Sequence, residues 1–165
     1  MSDKMDFGMD MEGLDDLDLD LEGLDLDLDM DFDLDGMGLQ DFRSRVMVVD
    51  DDAGTLRNIK SLLDGAYVVS VANSGKKCLD LLDQEKPDVI LLDYEMPMMN
   101  GPETMERIRG RAAYKNTPII FLTGVNERAQ IAKALSMRPA GYLLKPVDQN
   151  KLLMTILDAL NASAQ

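Results

Sequence analysis

Six side chains stand directly behind short apolar runs. Asp50, Asp51 and Asp52 follow RVMVV, Asp93 follows DVILL, Thr123 follows PIIFL and Lys145 follows GYLL. Carboxylates that converge on one rim repel one another, and in a partly dry cleft protons or a cation must neutralise them. The candidate ligands are hard oxygens, the chain has no histidine, and its one cysteine, Cys78, lies elsewhere, a donor set that favours Mg2+ or Mn2+ over zinc. A divalent cation, the Lys145 ammonium and the Thr123 hydroxyl around one central carboxylate suit a transferred phosphoryl group, whose charge spreads over three oxygens. Asp93 is the natural nucleophile, because it ends the central run alone, between the acid cluster and Lys145, and carboxylates form acyl phosphates. The absence of histidine also excludes the commonest general base and any phosphohistidine role.

For these residues to meet, the runs must be strands of one sheet. Arg45 to Val49, Ala66 to Val71, Asp88 to Leu92, Pro118 to Leu122 and Gly141 to Leu144 read as strands. Between them lie helical patterns. Asp52 to Leu63 places Leu56, Ile59, Leu62 and Leu63 on one face, with Gly65 where a left-handed cap is wanted. Ser74 caps a helix that turns Cys78, Leu79 and Leu82 inward. A loop with Pro97, Gly101 and Pro102 leads to a helix through Met105 and Ile108, and Glu127 to Ser136 is Ala-rich and helical. Asp148 caps the last helix, whose pattern buries Leu152, Leu153, Ile156, Leu157 and Leu160. Five strands alternating with five helices predict an α/β fold, a doubly wound parallel sheet covered on both faces. In such sheets ligands bind beyond the carboxyl ends of the strands, where the six side chains fall.

The 165 residues carry 31 acids and 17 bases. Residues 1–41 hold 16 of the acids and one base, Lys4, so the remaining 124 residues are near neutral, with 15 acids and 16 bases. That remainder is the size of one domain. From Leu24 to Leu34 every even position is apolar, and every odd position from Asp25 to Asp35 is aspartate. Aspartates at every second position repel, so this acidic Asp/Leu-rich tail is expected to be disordered on its own. Its reading stays open between a solvated leader, an acidic-hydrophobic partner-binding segment, and strand pairing driven by self-docking or cations. The acidity argues against direct nucleic-acid binding. No apolar run suits a membrane helix, no secretion signal is visible, and one cysteine makes no internal disulfide, which together point to a cytoplasmic setting.

The strings VMVVDDDAGTLRNIKSLL, PDVILLDYEMPMMNGPE, TPIIFLTG and GYLLKP, in that order, resemble the receiver domain of two-component response regulators, over about Arg43 to Leu160. The resemblance implies a stand-alone, chemotaxis-regulator-like receiver over residues 42–165: a flavodoxin-like (βα)5 fold with strand order 2-1-3-4-5. It implies that Asp50 and Asp51 hold Mg2+, with Asp51 the more direct ligand, joined by Asp93 and the Glu95 backbone carbonyl. It makes Asp93 the phosphoacceptor, Thr123 the hydroxyl that grips the phosphoryl group beside small Gly124, and Lys145 its ion-pair partner, with a cis Lys145–Pro146 bond. Tyr142 matches the switch aromatic, turning inward as Thr123 moves, and Glu95 and Val125 resemble sites that tune dephosphorylation. The implied partners are a sensor histidine kinase or phosphotransfer protein and a downstream protein, with self-catalysed phosphorylation and dephosphorylation at most in place of enzyme turnover. A tail that binds a basic or apolar protein surface completes the expected set.

Duller readings stand beside these. Asp52 reads as a helix N-terminal acid favoured by the macrodipole. Tyr142 could be plain core, the Met96, Met98 and Met99 group loop packing, and Cys78 a small hydrophobe. An aspartate-nucleophile phosphatase of the haloacid-dehalogenase type would want Asp-x-Asp-Gly-Thr after the first strand, and Ala53 breaks that match. A flavodoxin-like carrier would want hydroxyls and amides where three carboxylates stand. A scaffold with a vestigial site is the third alternative.

Overall fold

A computed structural model describes residues 42–124 and 128–163. The tail over residues 1–41, Val125 and Glu127 therefore lie outside the described residues. Within them, β1 (Arg45–Val49), α1 (Ala53–Leu63), β2 (Val68–Ala72), α2 (Gly75–Glu85), β3 (Val89–Asp93), α3 (Gly101–Arg109), a 3-10 turn (Ala112–Tyr114), β4 (Ile119–Thr123), α4 (Arg128–Ser136), β5 (Gly141–Leu144) and α5 (Gln149–Ser163) follow in order. The strands are all parallel, in the order β2-β1-β3-β4-β5. The predicted doubly wound sheet and its strand order are therefore both present.

Continuous β-branched and leucine runs make β1, β3 and β4 because both faces of a parallel sheet must be apolar. All five residues of β3 and of β4 are buried. One face packs Met47, Val49, Ile90, Leu92, Ile119 and Phe121 against Cys78 and Leu82 of α2, Met105 and Ile108 of α3, and Ala134 of α4. The other packs Val46, Val48, Leu91, Ile120 and Leu122 against Leu56, Ile59 and Leu63 of α1 and Leu152 and Ile156 of α5. Each such side chain removed from water contributes about 1.5–3 kcal/mol, which fixes register, since a slip of one residue would exchange the faces.

Several boundaries differ from the sequence reading, each for a local reason. Asp52 is the N-cap of α1, its carboxylate accepting from the Thr55 N–H at 3.0 Å and the Thr55 hydroxyl at 2.7 Å. The left-handed cap expected at Gly65 is absent: Asp64 ends α1 in right-handed geometry, and the Leu63 carbonyl takes the N–H groups of Ala66 and Tyr67 in a tight turn. A left-handed residue closes α2 instead, at Lys86. Strand β2 starts two residues later than expected, while β3 and β4 run one residue further, so Asp93 and Thr123 are the last residues of their strands. Gly101 and Pro102 open α3 rather than ending a loop, and the Asn100 side chain caps it. Leu157, expected to be buried, is half exposed. Ser74 and Asp148 cap as predicted, accepting from Lys77 N–H at 3.0 Å and Lys151 N–H at 2.9 Å.

Candidate functional site

The carboxyl ends of β1, β3, β4 and β5 meet around a cleft of about 360 Å3 lined by Asp50, Asp51, Asp52, Thr55, Asp93, Glu95, Thr123, Gly124 and Lys145. Asp50 and Asp93 lie at the ends of the two central strands and are buried; Asp51 is exposed on the cleft's rim. The hydrogen bond from the Asp52 N–H to Asp50 Oδ1, 2.9 Å, ties the acid cluster to the first turn of α1. Lys145 reaches across from β5 and places its ammonium 2.9 Å from Asp50 Oδ2 and 3.2 Å from Asp93 Oδ1. The sheet order makes this possible, because β3 and β4 separate Lys145 from β1 by only two strands.

Gly101 holds the loop behind Asp93 close to the site. Its N–H donates to the Tyr94 carbonyl at 2.9 Å, and a side chain there would collide with the Asp93 carbonyl oxygen and come within 2.8 Å of Tyr94 Cα. The α3 N-terminus can therefore sit directly against the Asp93–Tyr94 backbone only with glycine at this position. The Lys145–Pro146 bond is cis, as the resemblance implied.

The electrostatics of the cleft are unbalanced. Burial, then the neighbouring Asp50 charge, push the Asp93 carboxyl up to about 7, against the pull of Lys145. Burial alone would lower the Lys145 pKa, but its hydrogen bond to Asp50 and the charge of Asp93 outweigh this and the net shift is upward. One ammonium among three carboxylates leaves an excess of negative charge. Asp50, Asp51 and Asp93 can each offer an oxygen, all within 4.8 Å of one another, so the donor set fits a hard divalent cation. Asp52 stands apart from that set: the Thr55 hydrogen bonds hold its carboxyl below the usual range, as a cap should.

Of the other sequence candidates, Glu95 lines the cleft and Thr123 is buried on its β4 side. Tyr142 is not in the cleft. It is half-buried and packs against the cluster that contains Phe121, Tyr94 and Met96. Of the methionine group, Met96 is buried, whereas Met98 is fully exposed with φ of 69°. Cys78 is buried, and burial pushes its thiol up to about 12, the behaviour of a small hydrophobe.

A family model described as the response regulator receiver domain matches residues 46–157. The chain belongs to the response regulator receiver family. Among solved structures, the receiver is similar to the chemotaxis protein CheY4 of Vibrio cholerae, 30% identical with a TM-score of 0.67, over 72% of this chain and 99% of that one. It is equally similar to the signal receiver domain of an HD domain-containing protein from Pseudomonas fluorescens Pf-5, 30% identical with a TM-score of 0.68, over 74% and 98% of the two chains. A protein-glutamate methylesterase/protein-glutamine glutaminase of Trichodesmium erythraeum is 38% identical over 109 residues, 63% of this chain and 30% of the relative. The chain spans between 12% and 56% of the length of five curated relatives it matches. The receiver is thus a two-component signalling module of the CheY-like kind, a phosphoacceptor fold. Receiver domains typically use Mg2+, which the acid cluster fits. No helix among the described residues is long and apolar enough to cross a membrane.

Proposed function

We propose that the receiver takes a phosphoryl group onto Asp93 from the phosphohistidine of a sensor kinase or phosphotransfer protein, and signals through a changed protein-binding surface. The observation that carries this reading is the position of the Lys145 ammonium, 2.9 Å from Asp50 and 3.2 Å from Asp93, where it bridges the two buried carboxylates. An Asp93 oxygen attacks phosphorus, a P–O bond to Asp93 forms as the P–N bond to the donor imidazole breaks, and the departing nitrogen keeps the bonding pair. Lys145 stands where it can pair with the oxygens of the incoming group, and the Thr123 hydroxyl can donate to another of them. Asp50, Asp51, Asp93 and the Glu95 carbonyl would hold Mg2+, which supplies charge neutralisation for the phosphoryl oxygens when bound. Small Gly124 leaves the acyl phosphate open to water, and Glu95 flanks that approach.

Tyr142 is the switch residue in this reading. Movement of Thr123 toward the phosphoryl group vacates space on the Phe121 face of β4, and Tyr142 turns into it, a two-state element biased by a local charge change. Residues 1–41 form an appended acidic segment that binds a basic or apolar protein surface, and the whole acts in the cytoplasm with an unidentified downstream protein. The test is incubation with acetyl phosphate and Mg2+, followed by intact-mass analysis. The expected result is a phosphoryl mass gain that needs the ion and is lost in Asp93→Asn; a gain of the same size in that variant overturns the assignment.

A further inference from the structure

The residue immediately behind Asp93 has the geometry of a second switch element. On β3 and β4, Leu92 pairs with Phe121 and Asp93 with Leu122, and on β4 and β5, Phe121 pairs with Tyr142. Side chains alternate between faces along a strand, so Tyr94 projects to the same face as Leu92, Phe121, Thr123 and Tyr142. The Tyr94 N–H continues the ladder, donating to the Leu122 carbonyl at 2.8 Å, which sets Tyr94 level with Thr123. Its ring lies edge-on to Phe121, centroids 5.3 Å apart at 77°, and both belong to the cluster against which Tyr142 packs. Tyr94 is 8% exposed. Three aromatic rings thus share one patch: Phe121 is its floor, and Tyr94 and Thr123 stand side by side over it at the carboxyl edge.

That arrangement makes the inward path of Tyr142 a contested volume. Movement of Thr123 opens one side of the space above Phe121, but the Tyr94 ring fills the other, so two large rings compete for one site in a close-packed interior. Tyr94 also has somewhere to go, because it lines a cleft of about 420 Å3 between the β3–α3 loop and α4, together with Met96, Pro97 and Lys133. We propose that Tyr94 is a positioning residue of the switch: it competes with Tyr142 for the space over Phe121 and holds the unphosphorylated receiver in its outward state. The phosphorylated residue and the gate that resists its signal are then adjacent in the chain, so a small shift of the Asp93 backbone acts on the gate directly. A secondary observation agrees with their closeness: burial, and then the Tyr94 phenol, raise the Tyr142 pKa.

The proposal rests on the reading that Tyr142 turns inward when Asp93 carries a phosphoryl group, and the experiment separates the two. The full chain is labelled with 3-fluorotyrosine, and the Tyr142 resonance is identified by its loss in Tyr142→Phe. Spectra are recorded with Mg2+, with and without beryllofluoride, for the native protein, Tyr94→Leu and Tyr94→Phe. In the native protein beryllofluoride shifts the Tyr142 signal. In Tyr94→Leu the free protein already shows roughly threefold to tenfold more of the inward signal, and beryllofluoride binds more tightly by about the same factor, because the competent state is more populated beforehand. Tyr94→Phe keeps the ring and stays within about twofold of the native protein. Mere structural damage would weaken beryllofluoride binding, not strengthen it. If the native signal responds but Tyr94→Leu matches the native populations and affinity, Tyr94 is not the competitor, and the Tyr142 switch stands without it. If the native Tyr142 signal does not respond to beryllofluoride at all, the switch reading and this proposal fall together.

Discussion

One face of the sheet, under α1 and α5, is packed with Val46, Val48, Val89, Leu91, Ile120, Leu122, Leu143, Leu152 and Ile156, aliphatic side chains with few accessible rotamers. The opposite face, under α2, α3 and α4, also carries branched residues such as Val49, Ile90, Leu92, Ile108 and Ile119, but adds Met47, Met96 and Met105 and the rings of Tyr94, Tyr114, Phe121 and a half-buried Tyr142. A purely aliphatic core specifies one arrangement more tightly, whereas unbranched thioethers accommodate more than one packing around the rings. Asp50, Asp93 and Lys145 need to be held to within a fraction of an ångström, and branched residues anchor the strands that carry them. On the proposed function, a signal that begins at Asp93 should leave through the other face, where the packing can be rearranged.

The sharpest way to break this contrast is to remove the same kind of atoms from each side. Leu122→Ala, beneath the site on the aliphatic face, should cost about 3–5 kcal/mol in urea unfolding, the range for a buried leucine that leaves a cavity. Met105→Ala, on the other face, should cost only about 2 kcal/mol, the low end of the range for a truncated buried methionine, because adaptable neighbours can settle into the gap. Equal losses would mean that the two faces are equally unforgiving.

Lys145 should matter next most. Lys145→Met leaves Asp50 and Asp93 facing each other without an ammonium, and stability in buffer free of divalent ions should fall by about 1–3 kcal/mol. Millimolar Mg2+ should recover most of that loss; a deficit that Mg2+ leaves untouched would show that lysine was packing, not charge balance.

Asp93 itself gives a pH signature. Its carboxyl sits at about 7 in the fold against 3.8 ordinarily, so between those values the folded state binds the proton that the unfolded chain has released. Its favourable contribution is complete below about 3.8 and disappears as pH rises through about 7, so ion-free native protein should lose stability over that interval. Asp93→Asn should flatten this slope and be more stable near neutrality by on the order of 1–2 kcal/mol, allowing for solvent screening. A native curve that rises from pH 4 to 7 faster than that of Asp93→Asn would contradict the sign. The smallest effect belongs to Asp52. Asp52→Ala should lower the thermal midpoint slightly through the lost cap and leave Mg2+ affinity within twofold or so. A tenfold loss of affinity would make Asp52 a ligand.

Much of this was readable from residue order. The β-branched runs marked the strands, and the residues behind them marked the cleft, because a buried parallel strand and the rim beyond it leave opposite composition signatures. What escaped the reading depended on tertiary facts. Gly65 has the right residue type for a left-handed cap, but the chain leaves α1 by a tight turn on the Leu63 carbonyl instead. Leu157 follows the helical period of α5, yet among the described residues it is half exposed. Tyr94 reads in sequence as the first residue of a loop. Only the pairing of Asp93 with Leu122 shows that it continues β3 onto the face of Tyr142; its one local signal is an aromatic ring directly behind Asp93.

The most direct test of the account is chemical. Phosphorylated protein is reduced with borohydride, which converts an aspartyl phosphate to homoserine, and the peptides are sequenced by mass spectrometry. Homoserine at position 93 alone is the predicted result. Homoserine at position 50 or 51, or at none of the three, would contradict it.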